Sequence, residues 1–226
     1  MKKIINRKKP KNKGFIDIYG DHAVVAALNN NNRKHQKLII SKSHSNLINH
    51  DIQQSVREII KLSNKEMFKL FGSENTHQGI VLRTSCLAQP NLDEILHQSI
   101  NKKEEVVIML DQITDPNNIG SIIRSSSLFN CKSVIVSKYN SPDITSSMVK
   151  AASGALEVVN YIKVTNLFRA IEKFKKNNFW VYGLDSNKKN ISNNFDIPKK
   201  CLFVFGSEGI GLRKLTRILC DSIISI

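Results

Sequence analysis

The sequence predicts an α/β protein in two parts, a small N-terminal α/β unit followed by a larger domain built on a parallel sheet. Three observations carry this reading. From Val106 onward, short continuous apolar runs alternate with helical segments, the pattern of strands buried on both faces and joined by crossover helices. A Pro-bearing stretch from Ser85 to Asn91 (residues 85–91) separates that pattern from a different one before it and reads as a linker. A length of 226 residues holds one large domain or two modest ones, and suffices to bury a core without disulfides or metals.

In the N-terminal unit, residues 16–84, Asp21 precedes Ala23-Val24-Val25-Ala26-Ala27-Leu28, where a short capped helix fits. Lys37–Ser41 is short, apolar and bounded by polar residues, so it reads as a strand. A helix is expected from Asn46 to Leu62, with Leu47, Ile48, Ile52, Val56, Ile59 and Ile60 roughly on one face. Gly79–Arg83 closes the unit as a further strand. In the second domain, residues 92–226, strands are expected at Val106–Leu110, Val134–Ser137, Val158–Val164, Trp180–Leu184 and Leu202–Phe205. Helices fall between them at Ile119–Phe129, Ser146–Ala152 and Leu167–Lys176, and another follows at Leu212–Leu219. The chain ends inside a further strand. The aromatic residues Phe71, Phe129, Phe168, Phe174, Phe179, Trp180 and Phe203 read as core.

Lys and Arg number 34 against 19 Asp and Glu, a net charge of +15. Such an excess attracts phosphate backbones through counterion release, although the abundance of Lys, Asn and Ile also fits an AT-rich coding sequence. Seven basic residues and no acid lie between Met1 and Lys13. Residues 1–15 therefore read as a disordered basic arm, serving either nucleic acid or solubility. Cys86, Cys131, Cys201 and Cys220 form no Cys-x-x-Cys pair and read as reduced, buried residues of a cytosolic protein. No apolar run reaches the roughly 18 residues that span a bilayer, and no signal core opens the chain, so a cytoplasmic protein without a membrane partner is expected. The six histidines show no metal-ligand spacing.

Two segments carry the chemistry. Asp111-Gln112-Ile113-Thr114-Asp115-Pro116-Asn117-Asn118-Ile119-Gly120-Ser121-Ile122-Ile123-Arg124 begins at the end of an apolar strand, and Phe205-Gly206-Ser207-Glu208-Gly209-Ile210-Gly211-Leu212 begins at the end of another. In an open parallel sheet, ligands collect at such strand ends. Asn118 can cap the following helix or hold a ligand through its amide, and Arg124 lies one turn beyond Gly120 on the same side. Taken singly, each segment is an ordinary turn. The second is no P-loop, because Leu212 stands where Lys is required, and no Gly-x-Gly-x-x-Gly fingerprint follows an early strand.

The two segments in this order resemble the first two motifs of the SpoU/TrmH (SPOUT) group of knotted RNA 2′-O-ribose methyltransferases, most like those modifying guanosine in 23S rRNA. Tyr19-Gly20-Asp21-His22-Ala23-Val24, His77-Gln78-Gly79-Ile80 and Lys150-Ala151-Ala152-Ser153-Gly154-Ala155 resemble further family segments. The resemblance implies a SPOUT fold, a substrate-recognition domain at residues 16–84, and methyl transfer from S-adenosyl-L-methionine to a ribose hydroxyl of structured RNA, either rRNA or tRNA with rRNA favoured. By the same resemblance, Asn118, Arg124 and Glu208 are active-site residues, Gly206, Phe205, Gly211 and Ile226 contact the cofactor, and the assembly is a homodimer. The family's third motif would follow Ile226, the last residue. A trefoil knot and pocket lacking that segment are expected, leaving two functional readings: a methyltransferase, or an inactive RNA-binding remnant of one.

Overall fold

A computed structural model describes residues 14–72, 77–185 and 198–225. Residues 1–13 of the expected arm (1–15) and Ile226 lie outside this range, whereas Phe15, counted with the arm, opens the first strand. Strands β1 (Phe15–Tyr19), β2 (His35–Ser41), β3 (Ile59–Leu62) and β4 (Ile80–Ser85) form a mixed sheet in the order β1-β4-β2-β3. Strands β5 (Glu105–Leu110), β6 (Ser133–Ser137), β7 (Asn160–Val164), β8 (Trp180–Asp185), β9 (Lys200–Phe205) and β10 (Ser222–Ser225) form a second sheet in the order β10-β8-β9-β5-β6-β7. Every pairing in this second sheet is parallel.

The predicted helix over Asn46–Leu62 does not form. A 3₁₀ turn at Lys42–Leu47, a short helix α2 (His50–Ser55) and strand β3 take its place. Asn49 caps α2 by accepting from the Ile52 N–H, and Val56 leaves the helix with extended backbone. The β-branched Ile59 and Ile60 then pair parallel with Leu38 and Ile39 of β2, where a pleated surface suits them better than a helix does. Apolar spacing alone cannot separate these outcomes.

Among the described residues, two helices lie outside the predicted set, α3 (Asn64–Phe71) and α4 (Leu92–Ser99). Each carries a capping box, Ser63 with Glu66 and Asn91 with Glu94. That signature is readable in sequence as a polar cap followed three residues later by Glu. The expected core role fails for two aromatics: Phe129, just past the end of its helix, is 78% exposed, and Trp180, opening β8, is 44% exposed. Cys86 is exposed as well, while Cys131 and Cys201 are buried; all four thiols are free.

The faces of β5 divide the core. Val107 and Met109 point into a cluster with Ile162, Ile171, Phe174 and Val204, whereas Ile108 and Leu110 point to the opposite side. On that side lie α5 (Pro116–Leu128) and α6 (Ser146–Ala152). A Cβ on Gly120 of α5 would sit 2.6 Å from the Met148 carbonyl oxygen of α6 and 2.7 Å from Ala151 Cβ, so only glycine admits this crossing.

The same cluster runs without a break into the N-terminal sheet, joining Ile18, Val24, Ala27 and Leu82 to Val149, Ala152, Ala155 and Leu156. Polar contacts reinforce the seam. Arg33 forms a two-pronged pair with Glu157, Nε and Nη2 each at 2.8 Å, and both side chains are buried. Asn30 donates to the same carboxylate at 2.7 Å, and Ser146 Oγ donates to the Asp17 carbonyl at 2.5 Å. The two sheets are thus packed against each other through a common core.

Candidate active site

Parallel pairing of β5 with β9 sets Leu110 beside Phe205. Both strands therefore deliver their following loops to the same edge of the sheet. Strands β6 and β7 lie on one side of this pair and β8 and β10 on the other, so the site occupies the point where strand order reverses, the position that collects ligands in open α/β sheets. The Asp111 N–H donates to the Phe205 carbonyl at 2.8 Å, tying the two loops at their first residues.

The first loop turns at Gln112, a non-glycine residue with φ 67°, and enters α5 at Asp115. Asp115 rather than Asn118 is the cap, its carboxylate accepting from the Asn117 N–H, with Pro116 at the first helical position. This leaves the Asn118 amide free of capping duty, and Asn118 faces a cleft of about 430 Å³ whose walls include Gln112, Thr114, Gly206, Ser207 and Glu208.

The second loop folds back on itself. Ser207 and Gly211 exchange backbone hydrogen bonds of 3.2 and 2.9 Å. The returning chain passes so close to Gly206 that a Cβ there would lie 2.2 Å from the Gly211 carbonyl carbon and 2.4 Å from the Leu212 nitrogen. Gly211 itself has φ 71°, in the left-handed region. Ser207 Oγ is shut from solvent and has no partner among the described residues.

The structure thus brings Asn118, Gly206 and Glu208 to one cleft. Phe205 ends β9 half-buried against the core, and Gly211 closes the folded-back loop. Arg124 stands apart: it is exposed on α5, does not line the cleft, and its guanidinium has no partner among the described residues. Ile226 lies outside the described residues. Among those residues, no cluster of His, Cys, Asp or Glu could hold a metal, and no helix is long and apolar enough to cross a membrane.

Sequence reasoning missed the supports beneath the loops. Asp111 is fully buried and accepts from Arg213 Nε at 2.7 Å, the Arg213 N–H at 3.3 Å and Thr216 Oγ1 at 2.6 Å. Asp185, buried at the end of β8, pairs with Arg217. Arg213, Thr216 and Arg217 lead into or lie on helix α8 (Lys214–Leu219). The available signal was an acid ending each of two apolar strands, and a Thr and two Arg at one-turn spacing after the second motif.

The quoted N-terminal segments also converge. Gln78 Oε1 accepts from the Asp21 N–H at 3.3 Å, Asp21 Oδ1 meets His44 Nε2 at 2.8 Å, and His77 Nδ1 accepts from the Gly79 N–H at 2.9 Å. A Cβ on Gly20 would lie 3.6 Å from Lys150 Cγ of α6, so this corner abuts the helix that packs on α5.

Comparison with known proteins agrees with this architecture. Residues 105–226 match the SpoU rRNA methylase family, and residues 18–90 match the RNA 2′-O ribose methyltransferase substrate binding family. The chain is 33% identical to the 23S rRNA (guanosine-2′-O-)-methyltransferase RlmB of Coxiella burnetii, covering 92% of this chain and 85% of that protein. It is 31% identical to the protein of the same name from Escherichia coli K12, covering 92% and 87%. In fold, it resembles the SpoU methyltransferase AviRb of Streptomyces viridochromogenes, solved in complex with the cofactor AdoMet, with a TM-score of 0.74, 21% identity, and coverage of 98% of this chain and 84% of that one. With both of its sheets accounted for by these matches, the chain belongs to the SpoU rRNA methylase family.

Proposed function

We propose that the protein transfers a methyl group from S-adenosyl-L-methionine to the 2′-hydroxyl of a guanosine ribose in 23S rRNA. The observation that carries this reading is the cleft at the β5/β9 edge, where both family motifs meet. The residues present fit the cofactor. Gly206 stands in the cleft wall with the returning Gly211–Leu212 backbone packed against it, Ser207 Oγ is a buried hydroxyl without a partner among the described residues, and Phe205, Gly211 and Ile226 complete the proposed cofactor contacts. The bound cofactor supplies an electrophilic sulfonium methyl.

The chain's task is then to place the hydroxyl in line with that methyl and to ease loss of the proton. As the new O–C bond forms and the S–C bond breaks, the hydroxyl proton passes to water or a phosphate oxygen. Asn118 and Glu208 orient the nucleotide from the two segments that line the cleft. Arg124 cannot serve as a base, since a guanidinium stays protonated in proteins. Because Arg124 does not line the cleft, its role in this reading is to hold an RNA phosphate beside it. The N-terminal sheet unit, residues 16–84, is the substrate-recognition domain in this reading, residues 85–91 the linker, and the basic arm an additional RNA contact. The assembly is a cytoplasmic homodimer.

The direct test is transfer of radiolabel from S-adenosyl-L-methionine to in vitro transcribed 23S rRNA, followed by mapping of the modified nucleotide. Label at a ribose 2′-oxygen, reduced at least tenfold in Asn118→Ala, is the expected result. Label on a base, or none, would sink the assignment. An Arg124→Lys protein transferring at the parental rate would remove the two-pronged phosphate role.

A further inference from the structure

We propose that Arg213, oriented by Asp111, is an RNA phosphate-binding residue; this rests on the reading of the cleft as an RNA methyltransferase site. The Asp111 carboxylate is fully buried and spends both oxygens on one segment: Oδ1 takes Arg213 Nε, while Oδ2 takes the Arg213 N–H and Thr216 Oγ1. A buried carboxylate so paired fixes the plane of the guanidinium. The two Nη groups of Arg213 are left without a partner among the described residues, and the side chain remains 39% exposed.

An arginine held by Nε and open at both Nη atoms presents a rigid fork of donors, the geometry that suits a phosphate rather than a point cation. Arg213 does not itself line the cleft, but its anchor Asp111 immediately precedes Gln112, which does, so the guanidinium is tied to the first residue of a cleft-wall loop. The arrangement recurs one turn along α8, where Arg217, also with a 39% exposed side chain, is paired with the fully buried carboxylate of Asp185. Two cations at i and i+4 therefore stand on two buried acids at the carboxyl ends of β5 and β8, on either side of β9. Asp111 acts through Arg213 and is a positioning residue.

The experiment is filter binding of in vitro transcribed 23S rRNA over a series of salt concentrations, with calorimetric titration of S-adenosyl-L-methionine alongside. Arg213→Gln is expected to weaken RNA binding about tenfold and to lower the slope of log affinity against log salt by about one, with cofactor affinity unchanged. Asp111→Asn keeps the cation but releases it, so affinity should fall severalfold at a parental slope, and the double variant should bind no more weakly than Arg213→Gln. If Arg213→Gln fails to fold in a thermal melt, Arg213→Lys serves instead, with the slope kept and the affinity lost. Parental affinity and slope in the variant would overturn the inference, as would loss of cofactor binding with RNA binding intact. A parental protein that binds no RNA at all would overturn the functional reading beneath it.

Discussion

Gly206→Ala is the sharpest perturbation of the site. The added Cβ would lie 2.2 Å from the Gly211 carbonyl carbon and 2.5 Å from its oxygen, and carbon contacts become favourable only near ~3.5 Å. The chain must therefore retreat by roughly 1.3 Å, and what blocks it is backbone, which cannot rotate away as a side chain can. That retreat breaks the two hydrogen bonds between Ser207 and Gly211, at about 1 kcal/mol each. Residual crowding adds about 1–3 kcal/mol. The total, about 3–5 kcal/mol, falls on the loop proposed to hold the cofactor. Pre-organisation lost at that scale weakens binding by roughly a hundredfold or more. Gly209→Ala is the control: nothing lies within 4 Å of its Cβ position and its φ is 84°, so the cost is about 1–2 kcal/mol from backbone conformation alone. Calorimetric titration of S-adenosyl-L-methionine into the parental protein and both variants measures the contrast, with thermal melts to confirm folding. A folded Gly206→Ala protein that binds cofactor within threefold of the parent would refute the reasoning.

Three further outcomes are expected. Arg33→Met leaves Glu157 buried without its cation, so stability should fall by about 3–5 kcal/mol, whereas Arg33→Met/Glu157→Leu should recover most of the loss; chemical denaturation of the three proteins decides, and a silent single variant would exclude a stabilising seam. Burial lowers the His35 imidazole below its ordinary value of 6.5. The neutral ring is thus the stabilised form, and its contribution, full above pH 6.5, is lost as pH falls further. His35→Gln should flatten the acid side of a urea-midpoint profile, and an unchanged profile would count against this. Finally, burial pushes up the thiols of Cys131 and Cys201, and burial with the nearby Asp221 pushes Cys220 up to about 11. A thiol-reactive dye at pH 8 should therefore label exposed Cys86 first, and a fast phase surviving Cys86→Ser would contradict the assignment.

The alternation of buried strands and helices was legible from Val106 onward because strands covered on both faces are apolar throughout, and little else in a soluble chain is. The helices Ser146–Ala152 and Leu167–Lys176 match their predicted limits, both starting behind side-chain caps at Thr145 and Asn166. The segment Asn46–Leu62 was not legible, since its apolar spacing serves a helix as well as a turn, a short helix and a strand. Only the presence of β2 beside it decides between them.

The site divides in the same way. Sequence by itself determined the two motif segments, their place at strand ends and the family they belong to, because those features depend on local backbone demands that residue type records directly. Tertiary structure alone decided that β9 lies against β5, which brings Gly206, some ninety residues distant, into one cleft with Asn118. It also decided that Asp111 is a buried anchor for Arg213 and that Arg124 faces outward. Such facts depend on strand order and burial, which are properties of the assembled sheet and are carried by no short stretch of the chain.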